Sequence, residues 1–272
     1  MISFITTPTD AWLEKYLPNC GERFLVACPF IGDYLAKTTK QLPSRVIRTL
    51  LTRTDLRDFA SGASDIQAVC EVARLGTKVL SLSRLHAKAY VIDGEHALVT
   101  SANATHSGMR RNWECGVALT DTDTVEKLAG LLLSGFGSDE EPRSWSQTEL
   151  ENLRQPVEVF REFLPPAKPS LKTGWDEYPD ITISSKSLLK LSTSLGGWAR
   201  LTFDGIIRQP RDRFGLHEIY RTCLPMVAKR FPRNRFPREK LRQQLQYLRG
   251  LGVVEFLGDG VYRRTVSSRR SG

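Results

Sequence analysis

Three strand-like segments follow one another between residues 85 and 119, and they constrain the fold more than any other part of the chain. The first, LHAKAYVID, alternates with a period of two, so His86 and Lys88 share one face of a pleated strand. The second, ALVTSAN, ends in Ser101 and Asn103, two small side chains that form hydrogen bonds. The third, WECGVAL, has an acidic residue near its start. The pattern predicts a run of short strands that carry polar groups suited to chemistry.

These polar groups match the needs of a site that cleaves phosphodiesters. An imidazole can attack phosphorus or transfer a proton, because its natural pKa is close to neutrality. An ammonium group and neutral donors can hold the charged oxygens of the transition state. A carboxylate can fix the tautomer of the imidazole. This chemistry makes His86, Lys88, Ser101 and Asn103 candidate catalytic residues.

The spacing of these residues resembles the signature of the phospholipase D superfamily, H-x-K-x4-D-x6-G-S-x-N. His86, Lys88 and Asp93 fall on register, as do the serine and the asparagine. The departure is Thr100, which stands where the family usually has glycine, and it removes no catalytic group. A lone H-x-K pair would more simply be structural, but five polar positions on register favour catalysis. The resemblance adds Asp93 and Glu114 to the candidate catalytic residues. It implies that Glu114 orients the histidine, that a phosphohistidine forms and that no cofactor is needed.

Strand-like and helix-like segments alternate through the first half of the chain. FLVACPFI, SRVIRTLLTR and TKVLSLS are typical of strands. SDIQAVCEVARLG and TVEKLAGLLLSGF are typical of amphipathic helices, and the first is expected to be capped by Ser64 and closed by Gly76. Alternation of this kind predicts an α/β layer architecture with a mixed sheet. With the resemblance, the expected fold is a phospholipase D-like mixed-sheet α/β sandwich.

The composition changes after residue 137, where GSDEEPRSWSQTE is polar and contains proline. Residues 149–163 could form a helix, and DITISS and WARLTFDGII further on contain strand-like pieces. We expect a nuclease domain at residues 1–165, a connecting segment or insert at 166–205, and a second domain at 206–272.

The last part of the chain has the layout of a winged helix. GLHEIYRTCLPMVAKRF and PREKLRQQLQYLRGLG are helical in pattern, and Pro237 suits the first position of the second helix. Leu241, Leu245 and Leu248 form an apolar stripe on that helix. VVEFLGDGVYRRT then predicts two strands around a Gly-Asp-Gly turn.

The second of these helices carries side chains that pair with base edges and phosphates. The simpler alternative is an amphipathic helix with a solvated basic face, but the preceding RFPRNRFPR is itself basic with interleaved aromatic residues. Residues 215–264 also resemble the winged-helix domain of Dam-replacing-type restriction enzymes, through KLRQQLQYLRGLGVVEFLGDGVY. That resemblance implies binding to double-stranded DNA and recognition of N6-methyladenine. The candidate DNA-binding residues are Arg235, Arg238, Lys240, Arg242, Gln243, Gln244 and Tyr247.

Charge and cysteine content point to a class of partner and a compartment. The formal net charge of +9 favours partners that carry phosphate, such as nucleic acid or an anionic membrane. The five cysteines are scattered and include no C-x-x-C pair, which predicts neither a zinc knuckle nor a disulfide framework. Reduced thiols fit a cytoplasmic protein. No signal-peptide pattern and no membrane-length apolar run occur, so we expect no membrane partner.

The histidine content bears on assembly. Among the four histidines, only His86 is followed by lysine at the required spacing. Enzymes of the phospholipase D superfamily use two copies of the motif around one phosphate, so the resemblance implies a homodimer with a shared active site.

The combined features predict a metal-independent DNA endonuclease, in particular a restriction enzyme. The prediction of metal independence follows from the lack of any His, Cys, Asp and Glu cluster with metal-ligand spacing. Two alternatives are a DNA-binding regulator with an inactive catalytic layer and a lipid phosphodiesterase. The intact catalytic motif disfavours the first, and the predicted DNA-reading helix disfavours the second.

Overall fold

The computed structural model describes residues 2–137, 140–164 and 180–268. The chain packs into two compact units, one formed by Met1–Thr54 and Gly62–Glu151 and the other by Asp55–Ser61 and Asn152–Gly272. Described residues between 152 and 205 therefore group with the C-terminal part of the chain. The predicted domain boundaries at residues 165 and 205 stay a prediction. Residues 166–179 of the expected connecting segment lie outside the described residues.

The first unit contains an eight-stranded mixed sheet. Its strands are β1 Ile2–Thr6, β2 Arg23–Ala27, β3 Ile47–Thr52, β4 Lys78–Ser81, β5 Ala89–Ile92, β6 His96–Thr100, β7 Cys115–Leu119 and β8 Arg143–Trp145. They are ordered β1-β7-β6-β5-β2-β3-β4-β8 across the sheet. The β2–β3 and β3–β4 pairs are parallel, and the other pairs are antiparallel. The predicted mixed sheet is confirmed.

The first half of the chain also forms a series of short helices. They are α1 Asp10–Tyr16, α2 Asp33–Lys40, α3 Leu56–Ser61, α4 Ile66–Arg74, α5 His106–Arg110, α6 Thr122–Leu133 and α7 Gln147–Asn152, of which α3 belongs to the second unit. The predicted cap of α4 was wrong. The side chain of Asp65 accepts from the backbone N–H of Gln67 at 2.8 Å, whereas Ser64 is buried and its Oγ accepts from the N–H of Ile31 at 3.0 Å. Gly76, with φ +84°, follows the end of the helix as expected.

Helices cover both faces of the sheet, which gives the sandwich its two cores. On one face α6 contributes Val125, Ala129 and Leu132 to a cluster that includes Leu25 and Val91. On the other face, residues of α2 and α4 line the same small cavity as residues of β2 and β3; the apolar lining residues are Phe24, Val26, Leu35, Leu50 and Val72. This arrangement is the predicted α/β sandwich.

The second unit is mainly helical. Its further elements are α8 Arg154–Arg161, β9 Ile181–Ile183, α9 Ser185–Leu195, α10 Gly197–Ile207, β10 Arg213–Gly215, α11 Leu216–Arg230, α12 Pro237–Gly250, β11 Val254–Gly258, β12 Val261–Arg264 and β13 Val266–Ser268. The strand interpretation of WARLTFDGII was wrong, because this segment forms α10. Ala199, Phe203 and Ile206 are buried at helical spacing, and this periodicity outweighs the β-branched residues in the segment.

The end of the chain is a winged helix. Buried side chains of α12, Leu241, Leu245 and Leu248, form the predicted apolar stripe. β11 and β12 form the wing, with β10 on the other edge of β12. The three residues 258–260 all have positive φ, as a tight hairpin turn requires. Among the described residues, no helix combines the length and the apolar character needed to cross a membrane.

Candidate active site and nucleic-acid interface

His86 and Lys88 are held against each other at the start of β5. The ammonium nitrogen of Lys88 lies 3.3 Å from Nδ1 of His86 and donates to the backbone carbonyl of His86 at 3.0 Å. His86 is exposed, whereas Lys88 is 7% exposed. The predicted strand was too long at this end, because the sheet pairing of β5 begins at Ala89. The spacing of two residues nevertheless brings the imidazole and the ammonium together as predicted.

The surroundings of the pair disfavour positive charge on His86. Its pKa is lowered by burial of part of the ring, by the ammonium of Lys88 and by Arg53. A neutral imidazole near neutral pH has the free lone pair that a nucleophile needs. The pKa of Lys88 is also lowered, chiefly by burial, while Cys28 and Glu114 act in the opposite direction.

Arg53 is a site residue that the sequence interpretation missed. It directly follows β3, and its guanidinium lies 5.6 Å from the ring centre of Phe30. Its positive charge helps to lower the pKa of both His86 and Lys88. Its position directly after a predicted strand was the one signal in the sequence that could have pointed to a site residue. No local sequence pattern distinguishes this arginine from the other arginines of the chain.

Ser101 and Glu114 form a bonded network at the adjacent ends of β6 and β7. The hydroxyl of Ser101 donates to the carboxylate of Glu114 and accepts from the N–H of Cys115 at 3.1 Å. The other carboxylate oxygen accepts from the side-chain amide of Asn112 at 3.2 Å. The backbone N–H of Glu114 donates to the hydroxyl of Thr7 at 2.8 Å. These bonds hold the Glu114 carboxylate against Ser101 and Asn112. The proposed role of Glu114 in orienting His86 stays a prediction.

Asn103 lies on the loop that follows β6. Its Oδ1 accepts from the thiol of Cys28 at 3.5 Å. The backbone of α5 approaches it so closely that a Cβ on Gly108 would lie 2.5 Å from the carbonyl oxygen of Asn103. Thr100, at the family's glycine position, donates to the carbonyl of Cys115 at 3.2 Å and accepts from the N–H of Ala102 at 3.2 Å. The hydroxyl of Thr100 therefore stabilises the start of this loop through two hydrogen bonds.

The structure places Asp93 at some distance along the chain fold from His86 and Lys88. His86 precedes β5, whereas Asp93 follows it, so they lie at opposite ends of the strand. The carboxylate of Asp93 accepts from three backbone N–H groups of residues 21–23 at 2.8 to 2.9 Å. Burial raises its pKa, but these three bonds outweigh burial and leave the pKa below its usual value. Asp93 thus anchors the loop before β2, and its place among the catalytic residues stays a prediction.

The predicted DNA-binding residues all lie on α12 or in the segment before it. Arg235, Arg238, Arg242 and Gln243 are exposed, and the remaining three, Lys240, Gln244 and Tyr247, are partly buried. The guanidinium of Arg238 lies 5.4 Å from the ring centre of Tyr220, and Lys240 donates to the side chain of Gln243 at 2.6 Å. Their roles stay predictions. The sequence interpretation gave no separate role to Phe236, the residue before α12, whose side chain is 68% exposed among these arginines.

No group of three or more His, Cys, Asp and Glu side chains within the described ranges is arranged to hold a metal ion.

Comparisons with known families match two separate segments of the chain. Residues 45–133 match the family model described as "Cardiolipin synthase, PLD-like domain", and residues 195–264 match the "Dam-replacing HTH domain". The fold and the site thus define a phospholipase D-like α/β domain with the H-x-K motif. The chain combines this domain with a Dam-replacing-type helix–turn–helix domain at its C-terminal end, as the sequence resemblance implied.

Three solved structures illustrate the likeness. NucT from Helicobacter pylori is 18% identical, with 53% of this chain and 99% of that chain covered and a TM-score of 0.44. Nuc from Salmonella typhimurium, a phospholipase D family member, is 15% identical, with 54% and 99% covered and a TM-score of 0.43. A phosphatidylserine synthase from Haemophilus influenzae is 16% identical, with 60% and 45% covered and a TM-score of 0.44. A search of curated protein sequences finds no match.

Proposed function

We propose that this protein is a metal-independent DNA endonuclease, a restriction enzyme that cleaves phosphodiesters through a phosphohistidine. The observation that carries the proposal is the contact between His86 and the buried Lys88 in a chain that also has a DNA-binding domain. Lys88 supplies a positive charge beside the reacting histidine without needing a bound ion. Asn103 supplies a neutral donor on the neighbouring loop, whereas the hydroxyl of Ser101 donates to Glu114.

In the proposed mechanism, a ring nitrogen of His86 attacks phosphorus while the P–O bond to the leaving strand breaks. A second imidazole protonates the leaving oxygen. Water then attacks the phosphohistidine after losing a proton to that imidazole, the P–N bond breaks, and His86 is regenerated. The lowered pKa of His86 supports this scheme, because attack requires the neutral ring. Lys88 stabilises the charge on the non-bridging oxygens in both steps.

The second imidazole is proposed to come from another copy of the chain. His96, His106 and His217 are not followed by lysine at the motif spacing, so one chain supplies one H-x-K pair. A two-fold dimer brings two copies of the same patch together, and one motif can then serve both as nucleophile and as proton donor. One composite site per dimer cuts the two DNA strands in succession.

DNA targeting is proposed to rest on α12. Arginine, lysine and glutamine side chains on this helix can reach phosphates and base edges in a major groove. The match of residues 195–264 to the Dam-replacing domain supports duplex DNA as the partner and motivates N6-methyladenine as the mark that it reads.

The test is digestion of plasmids with and without N6-methyladenine, in excess EDTA, with end sequencing of the products. The wild-type protein should cut the methylated plasmid at defined sites, and the His86→Ala protein should cut neither. Equal cutting of both plasmids would reject the recognition of N6-methyladenine but not the nuclease mechanism. Loss of all cutting in EDTA, restored by magnesium, would reject the mechanism. Specific binding without cutting under any condition would favour a DNA-binding regulator.

A further inference from the structure

Two buried side chains lie beneath the loop that carries Asn103. Cys28 follows β2 directly, and Tyr90 lies within β5; both are fully buried. The hydroxyl of Tyr90 donates to the backbone carbonyl of Ala102 at 3.3 Å. The sulfur of Cys28 accepts from the backbone N–H of Ala104 at 3.2 Å and lies 3.5 Å from Oδ1 of Asn103. The residues on either side of Asn103 are thus bonded to side chains of the sheet.

We propose that Cys28 is a positioning residue, whose thiol orients the side-chain amide of Asn103 toward the phosphate. The inference rests on the proposed function, since it assigns a role within that site. No part of it requires Cys28 to react or to touch the substrate.

The chemistry of the two groups explains the orientation. A thiol that keeps its proton is a donor, and its natural partner on an asparagine is the carbonyl oxygen. With Oδ1 facing the thiol, the NH2 group is directed to the opposite side, where it can donate to a phosphate oxygen. A flipped amide would instead present a carbonyl oxygen to the phosphate, which repels it. Burial raises the pKa of Cys28 to about 11, so the thiol remains protonated in the range where the enzyme would work.

The same thiol also connects the loop to the end of β2. Its sulfur lies 3.3 Å from the backbone carbonyl oxygen of Phe30, which competes with Asn103 for the thiol proton. The sulfur itself is fixed by the N–H of Ala104, whichever acceptor the proton faces. Cys28 therefore joins a strand end to the catalytic loop across 75 residues of sequence. A residue that only filled space would need neither of these polar contacts.

A double-mutant cycle tests the inference with the full-length protein. Cys28→Ala should lower kcat for DNA cleavage by about tenfold, with a smaller change in KM, since one neutral hydrogen bond is lost from the transition state. In the Asn103→Ala background the same substitution should cost almost nothing further. Cys28→Ser, which keeps a donor, should recover part of the rate. Cys223→Ala, at a buried thiol of the second unit, is the matched control and should leave kcat unchanged.

An equal loss of rate in both backgrounds would overturn the inference, as would an unchanged kcat in Cys28→Ala. Thermal unfolding of each variant separates a loss of rate from a loss of folded protein. A second readout does not depend on cleavage: the side-chain NH2 resonances of Asn103, followed by NMR as inorganic phosphate is added. These resonances should shift in the wild type, shift less in Cys28→Ala, and shift by an intermediate amount in Cys28→Ser, which keeps a donor. If the wild type fails to cleave DNA but the shifts follow this pattern, the proposed function fails and the positioning role stands; identical shifts in all three proteins would refute the role.

Discussion

The ammonium of Lys88 lies 3.3 Å from Nδ1 of His86, so a buried cation is held directly against an exposed imidazole. Two positive charges in contact repel each other, so the ammonium opposes a second proton on the ring and favours the neutral imidazole. The neutral ring is the form that the proposed attack on phosphorus requires.

This contact predicts a specific pH dependence. Cleavage requires neutral His86, whose pKa is lowered from its ordinary value of 6.5, so the acid limb of the rate profile should lie below pH 6.5. Lys88→Met removes the charge and keeps the length of the side chain, so the pKa of His86 should rise. NMR titration of the His86 ring measures this without relying on activity. Lys78→Met, at an exposed lysine of β4, is the control and should leave the value unchanged. An unchanged or lower pKa in Lys88→Met would contradict the account.

A second prediction separates Asp93 from catalysis. Asp93→Asn weakens three bonds from backbone N–H groups and should reduce the free energy of unfolding by about 1–2 kcal/mol at neutral pH. Because the folded-state pKa of Asp93 is below its ordinary 3.8, its contribution is present above that value and is lost as pH falls through the lowered pKa. The difference from wild type should therefore shrink in acid.

Chemical denaturation at several pH values measures this difference, and Glu95→Gln at an exposed neighbouring position serves as the control. The cleavage rate per folded molecule should be nearly that of the wild type. A large loss of kcat with unchanged stability would show instead that Asp93 contributes to catalysis.

Parts of the fold and the site could be predicted because their signals are local. The spacing of two residues places His86 beside Lys88 in any extended segment, even though the strand starts later than predicted. The apolar stripe of Leu241, Leu245 and Leu248 likewise follows from helical periodicity alone. Sequence motifs are reliable where geometry over a few residues is sufficient.

The features that the sequence did not reveal share a different cause. Asp93 belongs to the motif spacing, but the direction of β5 carries it to the far end of the strand, where residues 21–23 bind it. Ser64 has the chemistry of a helix cap, yet its hydroxyl is taken by the backbone of Ile31. The contact between Cys28 and Asn103 depends on long-range strand pairing, which leaves no local pattern in the sequence.

A third prediction concerns the electrostatics of DNA binding. With His86→Ala as the background to prevent cleavage, Arg242→Ala should reduce the slope of log affinity against log salt concentration by about one. Phe236→Ala is the matched comparison, since it removes an exposed ring from the same surface without changing charge. It should leave that slope unchanged whatever its effect on affinity. Fluorescence anisotropy at four or more salt concentrations measures both, and an unaltered slope in Arg242→Ala would argue against a phosphate contact there.

A fourth prediction concerns the shared site. Heterodimers of wild-type and His86→Ala chains, purified through two different tags, should be severely impaired, because each composite site lacks one of its two imidazoles. Analytical ultracentrifugation should show a dimer for the wild type. Heterodimers that keep about half of the wild-type rate, or a fully active monomer, would show instead that each chain acts alone.

The most direct test of the central claim is to trap the covalent intermediate. Internally ³²P-labelled duplex DNA is mixed with enzyme in EDTA, quenched rapidly in denaturant at alkaline pH, and resolved on a denaturing gel. The account predicts that label migrates with the wild-type protein, is released by acid as expected for a phosphohistidine, and maps to the peptide that contains His86. The Lys88→Met protein should accumulate little labelled protein, and the His86→Ala protein none. Cleaved DNA with no label on the wild-type protein at any time point, or cleavage by His86→Ala at the wild-type rate, would contradict the claim.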